Sequence, residues 1–350
     1  APEVMQEAQS ASLVVLIVEA LRLGGLDADA LWASFSALDT LIEKVPRLGS
    51  LLISHGGCQC LVHVMRSPAA RGPDGQDLRK AIACLVVSLA DGSSEAVQAL
   101  RHAGLAQVLA EEGLQGPDQA AEAAMWALGT IAGLGVVLQA MRKHGPGNVF
   151  VLQGGAKAIS ECAFHASDRG QLEVLPDALS LVLELTRSPQ HDVARDLERS
   201  CIKALGSLLA ILTSYASPGA MPAVDMGVEV LIRQLTNQEA MDATAASPTT
   251  NAEEETWHRQ TDENSVYDRP NHEAAAEAAA EAVGRIAITS QEWRVVLRQY
   301  ALEGLIKWIR IGTDRRLLKY LFWASASMAG MPFVASEMQR HMDNIGAVDA

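Results

Sequence analysis

Residues 125–132 read MWALGTIA: a large aromatic, small apolar residues on either side of a Leu, a Gly, and a β-branched close. Leu, Met and Ala are strong helix formers, and their spacing puts the apolar residues on one helical face. The same octet recurs as 31–38 LWASFSAL, 83–90 ACLVVSLA, 202–209 IKALGSLL, 280–287 AEAVGRIA and 322–329 FWASASMA. Aligned on the residue before the small-apolar pair, the positions are Trp32, Cys84, Trp126, Lys203, Glu281 and Trp323, at spacings of 52, 42, 77, 78 and 42. A period near 42 is a helical-repeat length. Removing the polar, Pro-containing residues 236–271 turns the 78 into 42, and the 77 holds an additional Leu-periodic helix, 171–188, without the octet, either a degenerate seventh repeat or an inserted helix.

A second marker falls between the octets. Gly57, Gly104, Gly155, Gly227, Gly304 and Gly346 each read as a corner that closes one helix and opens the next, as in 54–65 SHGGCQCLVHVM and 302–309 LEGLIKWI. Glycine supplies the left-handed backbone such a corner needs. Only 4% of the chain is aromatic, and period-two Val/Ile/Thr runs are lacking, so no sheet is expected.

The octet with its following Gly, MWALGTIAG at 125–133, resembles the third-helix signature of the armadillo family, importin alpha among its members. The resemblance spans roughly residues 12–346. It implies an all-α, right-handed superhelical solenoid of about six to seven repeats. Each repeat would have a short helix, a second helix after the Gly, and a third helix lining a concave groove. The chain is accordingly expected to form one armadillo-like domain over 1–350, with 236–271 as an acidic insert loop inside one repeat.

In importin alpha the groove carries a ladder of Trp with Asn four residues later. Here Trp stands at Trp32, Trp126 and Trp323. The Asn position holds Ser36, Ser88, Thr130, Ser207, Arg285 and Ser327, never Asn. A hydroxyl cannot clamp a peptide unit as an amide does, which disfavours cargo binding of the importin alpha kind. The groove residues expected to meet a partner are Trp32, Trp126, Thr130, Lys203, Glu281, Arg285, Trp323 and Ser327. Burial in the core is the competing reading for the Trp side chains. Charged residues one turn earlier form stripes of alternating sign: Lys80–Cys84, Asp118–Glu122–Trp126, Arg195–Arg199–Lys203, Glu273–Glu277–Glu281 and Arg315–Lys319–Trp323. Neighbouring stripes are expected to neutralise one another if those helices lie side by side.

The net charge of −14 disfavours nucleic acid and anionic membrane surfaces as partners. The exception is 292–323, where Arg and Lys mix with Trp293, Tyr300, Trp308, Tyr320, Phe322 and Trp323. That mixture suits a protein interface better. The spacing His55-x-x-Cys58-x-Cys60-x-x-His63 resembles a zinc ligand set, but it straddles a helix corner, so helix packing is the favoured reading and no metal or cofactor is expected. No phosphate loop, nucleophile elbow or metalloprotease motif is complete, and no enzymatic activity is expected. The most apolar run, 13–23, is short and interrupted by Glu19 and Arg22, so no membrane span is expected. An odd set of five cysteines and no glycosylation acceptor suggest a reducing, cytoplasmic setting. An organelle is the alternative, because the chain starts at Ala1 and residues upstream of it are expected. The expected function is a protein–protein interaction scaffold or adaptor binding its partner along the groove. The alternative is an accessory subunit of a larger assembly, docked through the solenoid edge and the C-terminal aromatic cluster. Within the insert, Trp257 and Tyr267 are the expected anchors onto the solenoid or a partner.

Overall fold

The structure is a computed structural model and describes residues 2–72, 75–116, 118–164, 171–187, 195–237, 271–311 and 315–330. Among these residues there are 18 α-helices and no strand, as the octet pattern requires. They group into two compact units, 1–174 and 175–350. The insert, with Trp257 and Tyr267, and the corner expected at Gly346 lie outside the described residues.

In the first unit the helices are α1 (Pro2–Leu23), α2 (Ala28–Lys44), α3 (Arg47–Ser54), α4 (Gly57–Met65), α5 (Pro68–Arg71), α6 (Gln76–Gly92), α7 (Ser94–His102), α8 (Leu105–Val108, continuing through a π turn to Gly113), α9 (Gln119–Ala132), α10 (Leu134–His144) and α11 (Val149–Phe164). The long helices α2, α6, α9 and α11 stand side by side in that order. The short ones form a second layer, with α3 on α7 and α4 on α8. The triplet implied by the resemblance occurs twice: α3, corner, α4, α6, and α7, corner, α8, α9. The corner residues are Gly56 at φ 82° and Gly104 at φ 81°, a conformation a Cβ would strain. At the first corner the chain bends by 74°. Side-chain caps set the starts of the long helices: Asp27 accepts from the Ala30 N–H at 2.8 Å, and Asp118 from the Ala121 N–H at 3.0 Å.

The second unit contains α12 (Leu175–Arg187), α13 (Arg195–Leu212), α14 (Pro222–Thr236), α15 (Asn271–Thr289), α16 (Gln291–Tyr300), α17 (Leu302–Ile311) and α18 (Arg315–Met328). Here the row is α12, α13, α15, α18, with α14, α16 and α17 behind it. A third triplet, α16, α17, α18, turns at Ala301 with φ −100°, so this corner dispenses with a left-handed residue.

The rows are close because the octet is made of small residues. A Cβ built on Gly129 of α9 would lie 2.5 Å from Ala158 Cβ of α11, and one on Gly206 of α13 would lie 2.5 Å from Ala282 Cβ of α15. Both glycines fall three residues after the aligned octet position, so the same register recurs in the two units. Three of the glycines expected at corners have this packing role instead, among them Gly304, inside α17 against the Leu235 carbonyl. Gly155 lies inside α11 against Met141, and Gly227 lies inside α14 against Leu205 and Leu209. Their small size admits a neighbour, and no turn occurs there. The additional helix expected at 171–188 is α12, preceded by a single tight turn at Leu172–Val174. The long spacing between octets is also filled by α11, which joins the row without carrying the octet. Among the described residues no single helix is long and apolar enough to cross a membrane.

Candidate functional site

The expected groove residues behave differently from one another. In the first unit Trp126 and Thr130 sit on the exposed edge of α9, half-buried. The Trp126 indole N–H donates to the Glu161 carboxylate of α11. The Thr130 hydroxyl donates to the Trp126 carbonyl at 3.1 Å, so it is engaged within its own helix. Together with Val87, Asp91, Ser93 and Ser94 these side chains line an open depression of about 440 Å³. Its lining contains two carboxylates, Asp91 and Glu161, and no Lys or Arg. Trp32, on α2, is 46% exposed at the far end of the same row.

In the second unit Lys203 is exposed on α13. Glu281 and Arg285 pair with each other along α15 at 2.6 Å. Trp323 and Ser327 are not surface residues. Trp323 is 2% exposed, and Ser327 is 3% exposed with its hydroxyl donating to the Trp323 carbonyl at 2.8 Å. The reason lies one helix back. Gly284 of α15 leaves a hollow, and a Cβ there would come within 2.4 Å of the Trp323 ring. The indole folds into that hollow. At the register of Gly284, the preceding octet of α6 has Val87, which lines the depression together with the half-buried Trp126. At that register of the preceding octet, glycine accompanies the core Trp323 and valine the half-buried Trp126. Trp293 and Trp308 are core as well, at 2% and 0% exposure, with the Trp293 N–H donating to the Ala216 carbonyl at 2.7 Å. Of the C-terminal aromatic cluster, Tyr300 and Phe322 remain exposed.

The charge stripes of the first unit meet across the row. Arg79, beside Lys80, pairs with Asp118 at 2.8 Å and also donates to the Ala70 carbonyl. The Lys80 ammonium donates to the Gln119 amide oxygen at 2.9 Å. Glu122 accepts from Lys157 of α11 and from the Gln153 amide at 3.1 Å. Away from the depression, then, the acidic stripe of α9 is covered by cations and amides. Glu161 escaped the sequence reading because α11 lacks the octet. Its register was available in retrospect: Ala158 follows Lys157 as Ala282 follows Glu281, and Glu161 comes four residues after Lys157, where the family has Asn.

His55, Cys60 and His63 line a shallow hollow beside Arg22, at the corner between α3 and α4. Cys58 does not join them, being 2% exposed toward the core. Burial pushes the thiols of both Cys58 and Cys60 up; for Cys60 the charge of Arg22 works the other way. Raised thiol values oppose the thiolate a metal needs. Among the described residues no group of three or more His, Cys, Asp or Glu is placed to hold a metal ion.

No protein-family model matches the chain, and no curated protein sequence does. Among solved structures it is similar to an engineered protein at 19% identity, over 91% of this chain and 96% of the other, with a TM-score of 0.42. It is also similar to a designed armadillo repeat protein in complex with a (KR)4 peptide, at 14% identity over 90% and 99%, TM-score 0.43. A further engineered protein matches at 16% identity over 90% and 98%, TM-score 0.44.

Proposed function

We propose that this chain is a non-catalytic protein-interaction module, and that the Trp126 depression receives a Lys or Arg side chain from an extended segment of its partner. One observation carries the reading: an indole held by Glu161, bordered by a second carboxylate, at an open depression without a lining cation. A cation over an indole face gains roughly 0.5–1 kcal/mol when exposed and about 2 when desolvated. The carboxylates would hold the charged end by hydrogen bonds of the stronger, ion-assisted kind. Because Thr130 and Ser327, at the Asn register, bond to their own helix, and Ser88, also at that register, is engaged by Asp39, the module would grip a side chain more than a backbone. Partner choice would then depend on one basic residue and its apolar neighbours.

The test is a selection from displayed extended peptides on the wild-type protein, with the Trp126→Ala variant as counter-screen. The expected result is enrichment of peptides with a fixed Lys or Arg and a loss of about 2 kcal/mol of affinity in the variant. Peptides that bind both proteins equally, with the variant's helicity intact, would place the interaction elsewhere.

A further inference from the structure

We infer that the hollow at the corner between α3 and α4 is a binding site for a tetrahedral dianion, the phosphoryl group of a phosphate monoester. It shares no lining residue with the Trp126 depression, and it stands whether or not that depression takes a basic side chain. The hollow has a volume of about 680 Å³. Arg22 enters it from the last turn of α1, His55 from the C-terminal cap of α3 and His63 from the last turn of α4. Basic side chains suit these places, because each helix ends there in carbonyls without helical partners. The fold brings three such ends to one opening. Among the described residues no carboxylate lines it, in a chain whose net charge is −14.

The sign of the field is legible at the Cys60 thiol, which lines the hollow at 7% exposure. Burial pushes this thiol up; of the two charges acting on it, Arg22, which pulls it down, outweighs Glu19, which pushes it up. Glu19 accepts from Arg22 at 3.1 Å, in an exposed pair three residues apart. Such a pair is weak, and a guanidinium has five N–H donors, so Arg22 has donors to spare for an anion. The His55 Nδ1 lies 3.0 Å from the Leu51 carbonyl oxygen. A carbonyl only accepts, so Nδ1 carries a proton and Nε2 is the ring atom left for a ligand. An imidazolium held in this way needs a second acceptor, which an anionic oxygen supplies. The Gln59 amide adds a neutral donor to the lining. A phosphoryl group offers three strong acceptor oxygens and close to two charges, which matches donors arriving from three helices. The hollow is larger than that group, which leaves room for the alcohol part of an ester.

Titration of the intact chain with inorganic phosphate tests this, with the Gly56 backbone amide and the Gln59 side-chain amide followed by magnetic resonance. Sodium chloride at equal ionic strength is the control, since screening acts alike in both salts. The expected result is a saturating shift with phosphate and none with chloride. Arg22→Gln should weaken binding about tenfold, as loss of a charge-assisted hydrogen bond does, and His55→Gln/His63→Gln should weaken it as well. Glu19→Gln should tighten it roughly twofold, because the exposed pair no longer competes for Arg22. A variant that merely damaged the fold would not bind more tightly. Glycerol 3-phosphate and a phosphoserine pentapeptide separate a free monoester from a protein-borne one; each should bind at least as well as phosphate, and the tighter names the source. Shifts that do not saturate, shifts equal in phosphate and chloride, or an affinity unchanged in Arg22→Gln would overturn the inference and leave an adventitious ion only.

Discussion

At the scale of single residues, the pair Trp126 and Trp323 shows how one sequence position serves two purposes. Trp323→Ala should cost about 3–5 kcal/mol of stability, as removal of a fully buried aromatic does, while Trp126→Ala should leave the thermal transition nearly unmoved. Chemical denaturation of the two variants checks this. Asp39 offers a second residue-scale test. Burial raises its pKa above the usual carboxylate value; the Ser88 hydroxyl, donating at 2.7 Å, partly offsets this, and Glu43 adds to it. A carboxyl whose folded value lies above its unfolded value binds protons more tightly when folded. Its contribution to stability is thus complete below the ordinary Asp range and is lost as pH rises through the folded value. Asp39→Asn should therefore raise Tm at neutral pH, and the gain should shrink as pH falls toward 3.8, the ordinary Asp value. A gain unchanged across that range would contradict the assignment. Cys201, with its thiol pushed up to about 12 by burial, should resist alkylation in the native protein, which mass spectrometry of iodoacetamide-treated chain would read out.

At the scale of the element, the octet explains how the rows form, and it was the part most legible in the sequence. It marks α2, α6, α9, α13, α15 and α18 in the sequence. Of the expected corner glycines, Gly104 has the left-handed backbone, and at the first corner that residue is Gly56, one before the expected Gly57. Gly155 and Gly227 looked the same in sequence, because a glycine chosen for φ and one chosen for size cannot be told apart without the neighbour. Two variants test the size role. A Cβ on Gly284 meets the Trp323 ring at 2.4 Å and one on Gly206 meets Ala282 at 2.5 Å. Each Gly→Ala change should then cost about 1–3 kcal/mol by overpacking, despite the better helix propensity of Ala. Gly284→Ala should cost less in a Trp323→Ala background, because the ring it strikes is gone. Additive costs would mean that the two residues do not share the hollow.

At the scale of the molecule, each unit is a row of long helices backed by short ones, and stability within each is local to neighbouring helices. The candidate site was half legible. Trp126 and Thr130 came from the family register, whereas Glu161 and Asp91 did not, since they come from helices whose place beside α9 is a matter of packing. The surviving site in the first unit is therefore one indole flanked by carboxylates contributed by α6 and α11, where the family pattern led one to expect a ladder. Glu161→Gln should weaken recognition of a basic peptide more than it affects folding, because the amide oxygen can still accept from the Trp126 indole while the charge is lost. The most direct measurement follows the Trp126 indole N–H resonance of the intact chain while a short, otherwise neutral peptide with one central Lys is added, beside the same peptide with Glu in its place. The account predicts a saturating shift with the Lys peptide, none with the Glu peptide, and a much smaller shift in the Glu161→Gln variant. A Trp126 resonance indifferent to both peptides, or equally responsive to both, would contradict it.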